Sequence, residues 1–170
     1  MERERLLSKE AEARPKLGYD VYMQMLKEWL ERSLTGRVVI EGDRIPWEQS
    51  RQARVKVYLA PTVKDTALDG WTMFVQDIRA HSGRHRHQGG LSIFILEGTG
   101  YTVVDGVRHD WEEGDLLLLP VKPGGVEHQH FNLEQGKPCK WIAMIYTPFD
   151  QMTGSQYQQV QVHPDYKESP

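Results

Sequence analysis

Four of the seven histidines in this 170-residue chain fall in two H-x-H pairs, His85-Arg86-His87 and His128-Gln129-His130. Residues two apart on a strand point to the same side. An extended segment therefore turns His85 and His87 to one face and Arg84 and Arg86 to the other. Two neutral imidazoles on one face can ligate one metal at roughly 2.0–2.2 Å. A lone H-x-H reads as readily as two surface histidines in a polar turn, and the second pair shifts that balance. It follows the turn-rich run Pro120-Val121-Lys122-Pro123-Gly124-Gly125. Neighbouring strands lie only about 4.8 Å apart, so a chain folded back as a barrel brings a histidine of the second pair to the first. Three imidazoles leave coordination positions open for water, substrate or dioxygen, which is the mark of a catalytic rather than a structural metal site.

The elements that must position these side chains are mostly short strands. RVVIEG (37–42), RVKVYLA (54–60), WTMFVQDIR (71–79), LSIFILEG (91–98), GYTVV (100–104), VRHDW (107–111), DLLLLP (115–120) and KWIAMIYTP (140–148) are rich in β-branched and aromatic residues and are separated by turn residues. Asp105-Gly106 predicts a type I′ hairpin, because that pair accepts positive φ, and Glu113-Gly114-Asp115 predicts another turn. This many strands with short turns imply a sandwich or closed barrel. Ahead of them, Tyr22, Met25, Leu26, Trp29, Leu30 and Leu34 recur at helical spacing over 19–34, with Lys27, Glu28, Glu31 and Arg32 on the other face and Gly36 placed to end the helix. The expected organisation is an N-terminal helical extension (1–36), a barrel (37–150), and a polar C-terminal edge strand and tail (151–170). The apolar helix face and the need to cover sheet edges predict a homodimer or larger assembly.

Composition narrows the function classes. Hydrophobic residues make up 39% and charged residues 26%, a globular balance with room for one domain core. A net charge of −3 argues against nucleic acid or an anionic membrane as a general partner. The single cysteine, Cys139, permits no intrachain disulfide and reads as structural; together with a charged stretch at 1–14 that lacks a signal peptide's apolar core, it predicts a cytoplasmic location.

Two motifs carry a family resemblance. The first runs Gly83-Arg84-His85-Arg86-His87-Gln88-Gly89-Gly90 into LSIFILEGTG. The second runs Gly114-Asp115-Leu116-Leu117-Leu118-Leu119-Pro120, then a glycine turn, then His128 with Asn132 four residues later. In this order they resemble the two motifs of the cupin superfamily. The resemblance implies an all-β, double-stranded β-helix (jelly-roll) barrel with a metal inside it, and places His85, His87 and His128 on the metal-histidine positions. Many cupins add a glutamate ligand seven residues before the glycine that ends the first motif; Leu91 stands there, beside Ser92, so the site is expected to be all-histidine. Glu97, next to the turn, reads as solvated.

More narrowly, HRHQGGLSIFILEGTGYTVVDG resembles the HRH…EGEG…TVVDG segment of gentisate 1,2-dioxygenases and their salicylate and 1-hydroxy-2-naphthoate relatives, which also use three histidines on iron(II). Those enzymes typically carry two cupin domains and a Pro-Pro-Trp-type sequence before the second motif's histidine, where this chain has Val121-Lys122-Pro123-Gly124-Gly125-Val126. The resemblance implies an iron(II) dioxygenase whose partners are a small anionic aromatic or enol-type substrate and dioxygen. Zinc, nickel or manganese on the same ligands would suit the alternatives, an isomerase, a lyase or a non-catalytic binding module. Around the metal trio, His130 is the candidate acid, base or substrate hydrogen-bond partner, against a plain barrel histidine. Gln88 is a candidate pocket residue, and Asn132 is a candidate to orient His128. Arg79 is a candidate clamp for a substrate carboxylate, against a surface charge. His81, His109 and His163 read as ordinary polar residues, and Trp71, Trp111 and Trp141 as packing.

Overall fold

The computed structural model describes residues 18–134, 136–154 and 157–168. The first seventeen residues of the expected helical extension lie outside these. The chain divides into two units, one containing residues up to Val38 together with Asp65–Leu68, the other Val39–Lys64 together with Asp69 onward.

In the first unit, helix α1 spans Tyr19–Thr35. Its apolar positions Tyr22, Met25, Trp29, Leu30 and Leu34 are exposed. Gly36 ends it, in an extended conformation (φ −63°, ψ 152°) rather than a left-handed one, with its N–H donating to Arg32 O. A side chain there would meet Arg32 O at 2.5 Å and Ala67 N at 2.6 Å, so close backbone approach accounts for the glycine. The Arg32 guanidinium donates to Thr66 O (2.6 Å) and Thr66 Oγ1 (3.1 Å), tying 65–68 to the helix. The strand expected over 37–42 does not form. Arg37 makes one isolated bridge to Thr66, Val38 and Val39 are exposed, and Gly42–Arg44 is a 3₁₀ turn. Branched side chains favour strands only where a neighbouring strand is present to pair with them.

The second unit is built from strands β1 (Glu48–Gln49), β2 (Arg54–Leu59), β3 (Trp71–Asp77), β4 (Arg84–His87), β5 (Leu91–Glu97), β6 (Thr99–Val104), β7 (Val107–Glu112), β8 (Leu116–Leu119), β9 (Val126–Asn132), β10 (Lys140–Tyr146) and β11 (Gln158–Gln161), with a short helix α2 (Thr147–Met152) after β10. They form two sheets, ordered β1-β2-β3-β10-β5-β8 and β11-β4-β9-β6-β7. The chain passes from β5 in the first sheet to β6 and β7 in the second, then to β8, β9 and β10 in alternate sheets, the winding of a jelly roll. The core between the sheets is Ile78, Ile93, Ile95, Trp111, Leu119, Val126, Trp141 and Ala143. Strand β5 shows why: its residues alternate between inside and outside, with Leu91, Ile93 and Ile95 inward. The β6–β7 turn has Asp105 at φ 48° and Gly106 at φ 86°, the hairpin that the Asp-Gly pair predicts. Gly100 lies beneath Trp111, whose Cη2 would stand 2.2 Å from an added Cβ; only glycine lets β6 pass there. Of the polar C-terminal stretch, Gln158–Gln161 pairs antiparallel with β4 and covers that edge. No helix among the described residues is long and apolar enough to cross a membrane.

Candidate metal centre

Strand β4 is extended, and its burial alternates so that His85 and His87 face the interior while Arg84 and Arg86 face out, both near Glu127. Register then brings in the second pair: His85 stands directly opposite His128 on β9, and His87 opposite Val126. Directly opposed residues share a face. The ring centroids lie 4.2 Å apart for His85 and His128, 4.9 Å for His87 and His128, and 5.4 Å for His85 and His87. One nitrogen from each lies within 4.8 Å of the others. No carboxylate shares that cluster among the described residues, in keeping with Leu91 at the position where many cupins have glutamate. Leu91 is itself buried.

Burial also sets the charge of these rings. His85 falls from 6.5 to about 4, through desolvation and then the neighbouring His87. Desolvation lowers His87 too, partly opposed by the Asp150 carboxylate. His128 lies well below its ordinary value, through burial and the surrounding His85, His130 and His87. All three are therefore neutral at neutral pH, the form in which imidazole binds metals. His128 Nδ1 donates to Val126 O at 3.3 Å, which leaves Nε2 free as a ligand. His87 Nδ1 accepts the Gly89 N–H at 3.1 Å, so ligation through its Nε2 requires that hydrogen bond to open. Three neutral nitrogen donors converging from two adjacent strands fit a divalent transition metal.

His130 sits beside the trio, its ring centroid 5.5 Å from that of His128, and it is completely enclosed. Burial, and then His85 and His87, push its pKa down to about 3. Its tautomer follows from a buried relay. Trp111 Nε1 donates to Thr102 Oγ1 (2.9 Å), and Thr102 Oγ1 lies 2.8 Å from His130 Nδ1. The indole can only donate, so the threonine accepts there; its own buried proton has His130 Nδ1 as the one other partner among the described residues, and donating to it leaves no hydroxyl proton unpaired. That leaves the imidazole proton on Nε2, which is buried with no protein partner. Replacing Thr102 by valine keeps the shape but strips two buried groups of their partner. We expect a loss of about 2–4 kcal/mol in urea unfolding and a change in the His130 ¹⁵N signals away from the pure Nε2–H form. Unchanged ring signals would show that the relay does not set the tautomer.

The trio and His130 line a cavity of about 250 Å³. Its opposite wall comes from the other sheet, with Phe74, Ile93, Ala143 and Ile145 along it and Asp150 and Tyr157 also at its edge. The remaining expectations divide. Gln88 is buried behind the site and its amide donates to the Asp150 carboxylate and to Asp150 O, so it holds α2 in place rather than forming the cavity wall. Asn132 does not orient His128. Its amide donates to Ile78 O, Arg79 O and Lys137 O and accepts from Glu134 N, fastening loops at the far end of β9. Arg79 is exposed, 3.7 Å from Asp77 Oδ2, and borders a different cavity; β3 carries it away from the histidines. Glu97 is paired with Lys140.

Sequence patterns gave no sign of Gln76, Asp150 or Tyr157 at the site. Tyr157 packs over His85, ring centroids 5.3 Å apart, because β11 pairs beside β4. Nothing in its local sequence signals this. Trp141 does pack in the core as expected, but it also faces the cavity.

Residues 73–145 match the cupin domain family. That span, under half of the chain, holds both H-x-H pairs and strands from both sheets of the barrel. No curated protein matches the sequence. Among solved structures, the chain is similar to a cupin-like protein from Thermotoga maritima, with 16% identity over 74% of this chain and 90% of that one, at a TM-score of 0.52. It is similar to the polyketide cyclase RemF from Streptomyces resistomycificus, with 14% identity over 76% and 89% of the two chains and a TM-score of 0.56. It is also similar to salicylate 1,2-dioxygenase from Pseudoaminobacter salicylatoxidans, with 16% identity and a TM-score of 0.53, over 81% of this chain but 36% of that one. At these identities the likeness is one of fold, and a dioxygenase and a cyclase on one barrel show that fold alone does not select a reaction.

Proposed function

We propose that this cupin is an iron(II)-dependent dioxygenase acting on a small aromatic or enol-type substrate that chelates the metal through anionic oxygens. The observation that carries the reading is the set of three buried, neutral imidazoles without a carboxylate among them, facing a mostly apolar cavity. Neutral ligands leave a divalent ion its full charge, which favours an anionic chelator. Iron(II) bound there would supply a Lewis acid and a site for dioxygen activation.

The chain's own residues do the rest. His85, His87 and His128 would hold the metal on one side of the cavity. The wall of Phe74, Ile93 and Ala143 packs the substrate ring and excludes water. His130 presents Nε2–H into the cavity and donates to a substrate oxygen. Its low pKa fits a fixed hydrogen-bond donor rather than a proton shuttle. The test is elemental analysis of protein purified without added metal, followed by oxygen uptake with catechols and ortho-hydroxybenzoates. About one iron per chain and substrate-dependent uptake are expected. Zinc or nickel in its place, with no uptake after iron loading, would move the protein to an isomerase or lyase role.

A further inference from the structure

Gln76 on β3 and Trp141 on β10 lie directly opposite each other, so both side chains project from the same face of the first sheet. They are 5% and 3% exposed. Both line the histidine cavity, and the Trp141 ring is 4.7 Å from that of His130. Trp141 Nε1, Gln76 Oε1 and His130 Nε2 are all buried without a protein partner. Leaving such groups unpaired costs roughly 1–3 kcal/mol each. Gln52 Oε1 and His85 Nδ1 on the same cavity are unpartnered too, and the grouping of Gln76, Trp141 and His130 is better explained by a ligand group than by packing.

Their chemistry specifies that group. The indole N–H and the imidazole Nε2–H donate, and the glutamine oxygen accepts. A hydroxyl can accept two hydrogen bonds and donate one, matching all three. A carboxylate can only accept, and would fit only with the glutamine amide turned to present its NH2. Charge points the same way. Among the described residues no lysine or arginine lines this cavity, and its one carboxylate is Asp150. A substrate carboxylate away from the metal would be buried without a counter-ion, which is costly. Size sets a further bound: a cavity of about 150 Å³ takes benzene, so 250 Å³ leaves room for one substituted ring.

We propose that Gln76, Trp141 and His130 form a second subsite that binds one uncharged hydroxyl of the substrate. The substrate is then a single-ring phenol or enol chelator that bears a further hydroxyl and no remote carboxylate. The proposal rests on the metal reading of the three-histidine cluster, and the test separates the two. Zinc-loaded protein, which does not turn over, is titrated calorimetrically with 4-methylcatechol, 4-(hydroxymethyl)catechol and 3,4-dihydroxybenzoate. The hydroxymethyl compound should bind about tenfold more tightly than the methyl one, the worth of a satisfied buried hydrogen-bonding site. The carboxylate compound should bind about tenfold or more weakly than the methyl one. In Gln76→Leu and Trp141→Phe the hydroxymethyl preference should shrink to near unity, while affinity for 4-methylcatechol changes less than about threefold. The wild-type ranking carries the test if either variant fails to fold. Binding of 4-methylcatechol without the hydroxymethyl preference, or tightest binding of the carboxylate, would overturn the subsite and leave the metal centre standing. If the protein takes up no zinc, the metal reading fails and the subsite falls with it; if zinc is bound and none of the three binds, the subsite is overturned and the metal centre stands.

Discussion

Replacing His128 by alanine is expected to lower bound metal from about one equivalent per chain to about half or less, and to cut the thermal shift that metal produces to about a sixth or less. His128 stands between the other two histidines: its ring is nearer to His85 and to His87 than those two are to each other, and its Nδ1 donates to Val126 O, which leaves Nε2 for a metal. Loss of residues that merely orient metal ligands weakens affinity 10–100-fold, so loss of a ligand itself should weaken it by at least about a hundredfold. A metal present at a hundred times its dissociation constant stabilises the folded state by about 2.7 kcal/mol. For a chain of this length that is a rise of roughly 5–10 °C in Tm. The metal-free variant will also unfold earlier, because the missing ring leaves a cavity. The comparison is therefore the difference with and without metal, by differential scanning fluorimetry and elemental analysis. Arg79→Ala is the control and should keep both metal and shift, since Arg79 borders a different cavity. A His128 variant that retained its metal would mean that another set of ligands holds it.

The second large effect is on the metal-free protein in acid. Folded His85 titrates at about 4 and His130 at about 3, against 6.5 when unfolded. Below pH 6.5 the unfolded chain takes up protons that these buried rings refuse, so the unfolded state gains and stability falls as pH falls. Each ring contributes a slope of up to about 1.4 kcal/mol per pH unit. Between pH 6.5 and 4 each should remove about 3 kcal/mol, and His128, lowered in the same direction, adds to the loss. Set against a usual total of about 5–15 kcal/mol, the metal-free protein should be close to unfolding near pH 4. Urea titrations in chelator across that window measure this. A flat stability profile would show that the rings are not buried as neutral groups. Above pH 7 the effect vanishes, because the rings are neutral in both states.

These predictions draw on parts of the molecule that were unequally legible in the sequence. The H-x-H pairs, the alternation in LSIFILE, the Asp-Gly hairpin and the amphipathic stretch at 19–34 are local patterns, and each is matched by the structure. Local pattern misled where no neighbouring strand exists to reward it: the branched residues of 37–42 make no strand. It also misled where sequence proximity stood in for spatial proximity. Arg79 precedes His85 by six positions, yet the intervening loop carries the chain from one sheet to the other. Asn132 shares a strand with His128 but lies four residues along it, at about 3.3 Å per residue, beyond reach of that ring.

What the sequence determined by itself is that His85 and His87 share one face and His128 and His130 another, because a strand's two-residue repeat fixes side-chain direction without reference to the rest of the chain. What only the tertiary structure decided is everything set by register and by the packing of one sheet on the other. His85 meets His128 because β4 pairs with β9 in one register and not its neighbour; a slip of one residue would turn an entire strand's side chains to the opposite face. Gln76, Trp141 and Asp150 reach the histidines only because a second sheet closes over the first. Such long-range pairings depend on the summed burial of many residues, so no short stretch of the chain encodes them.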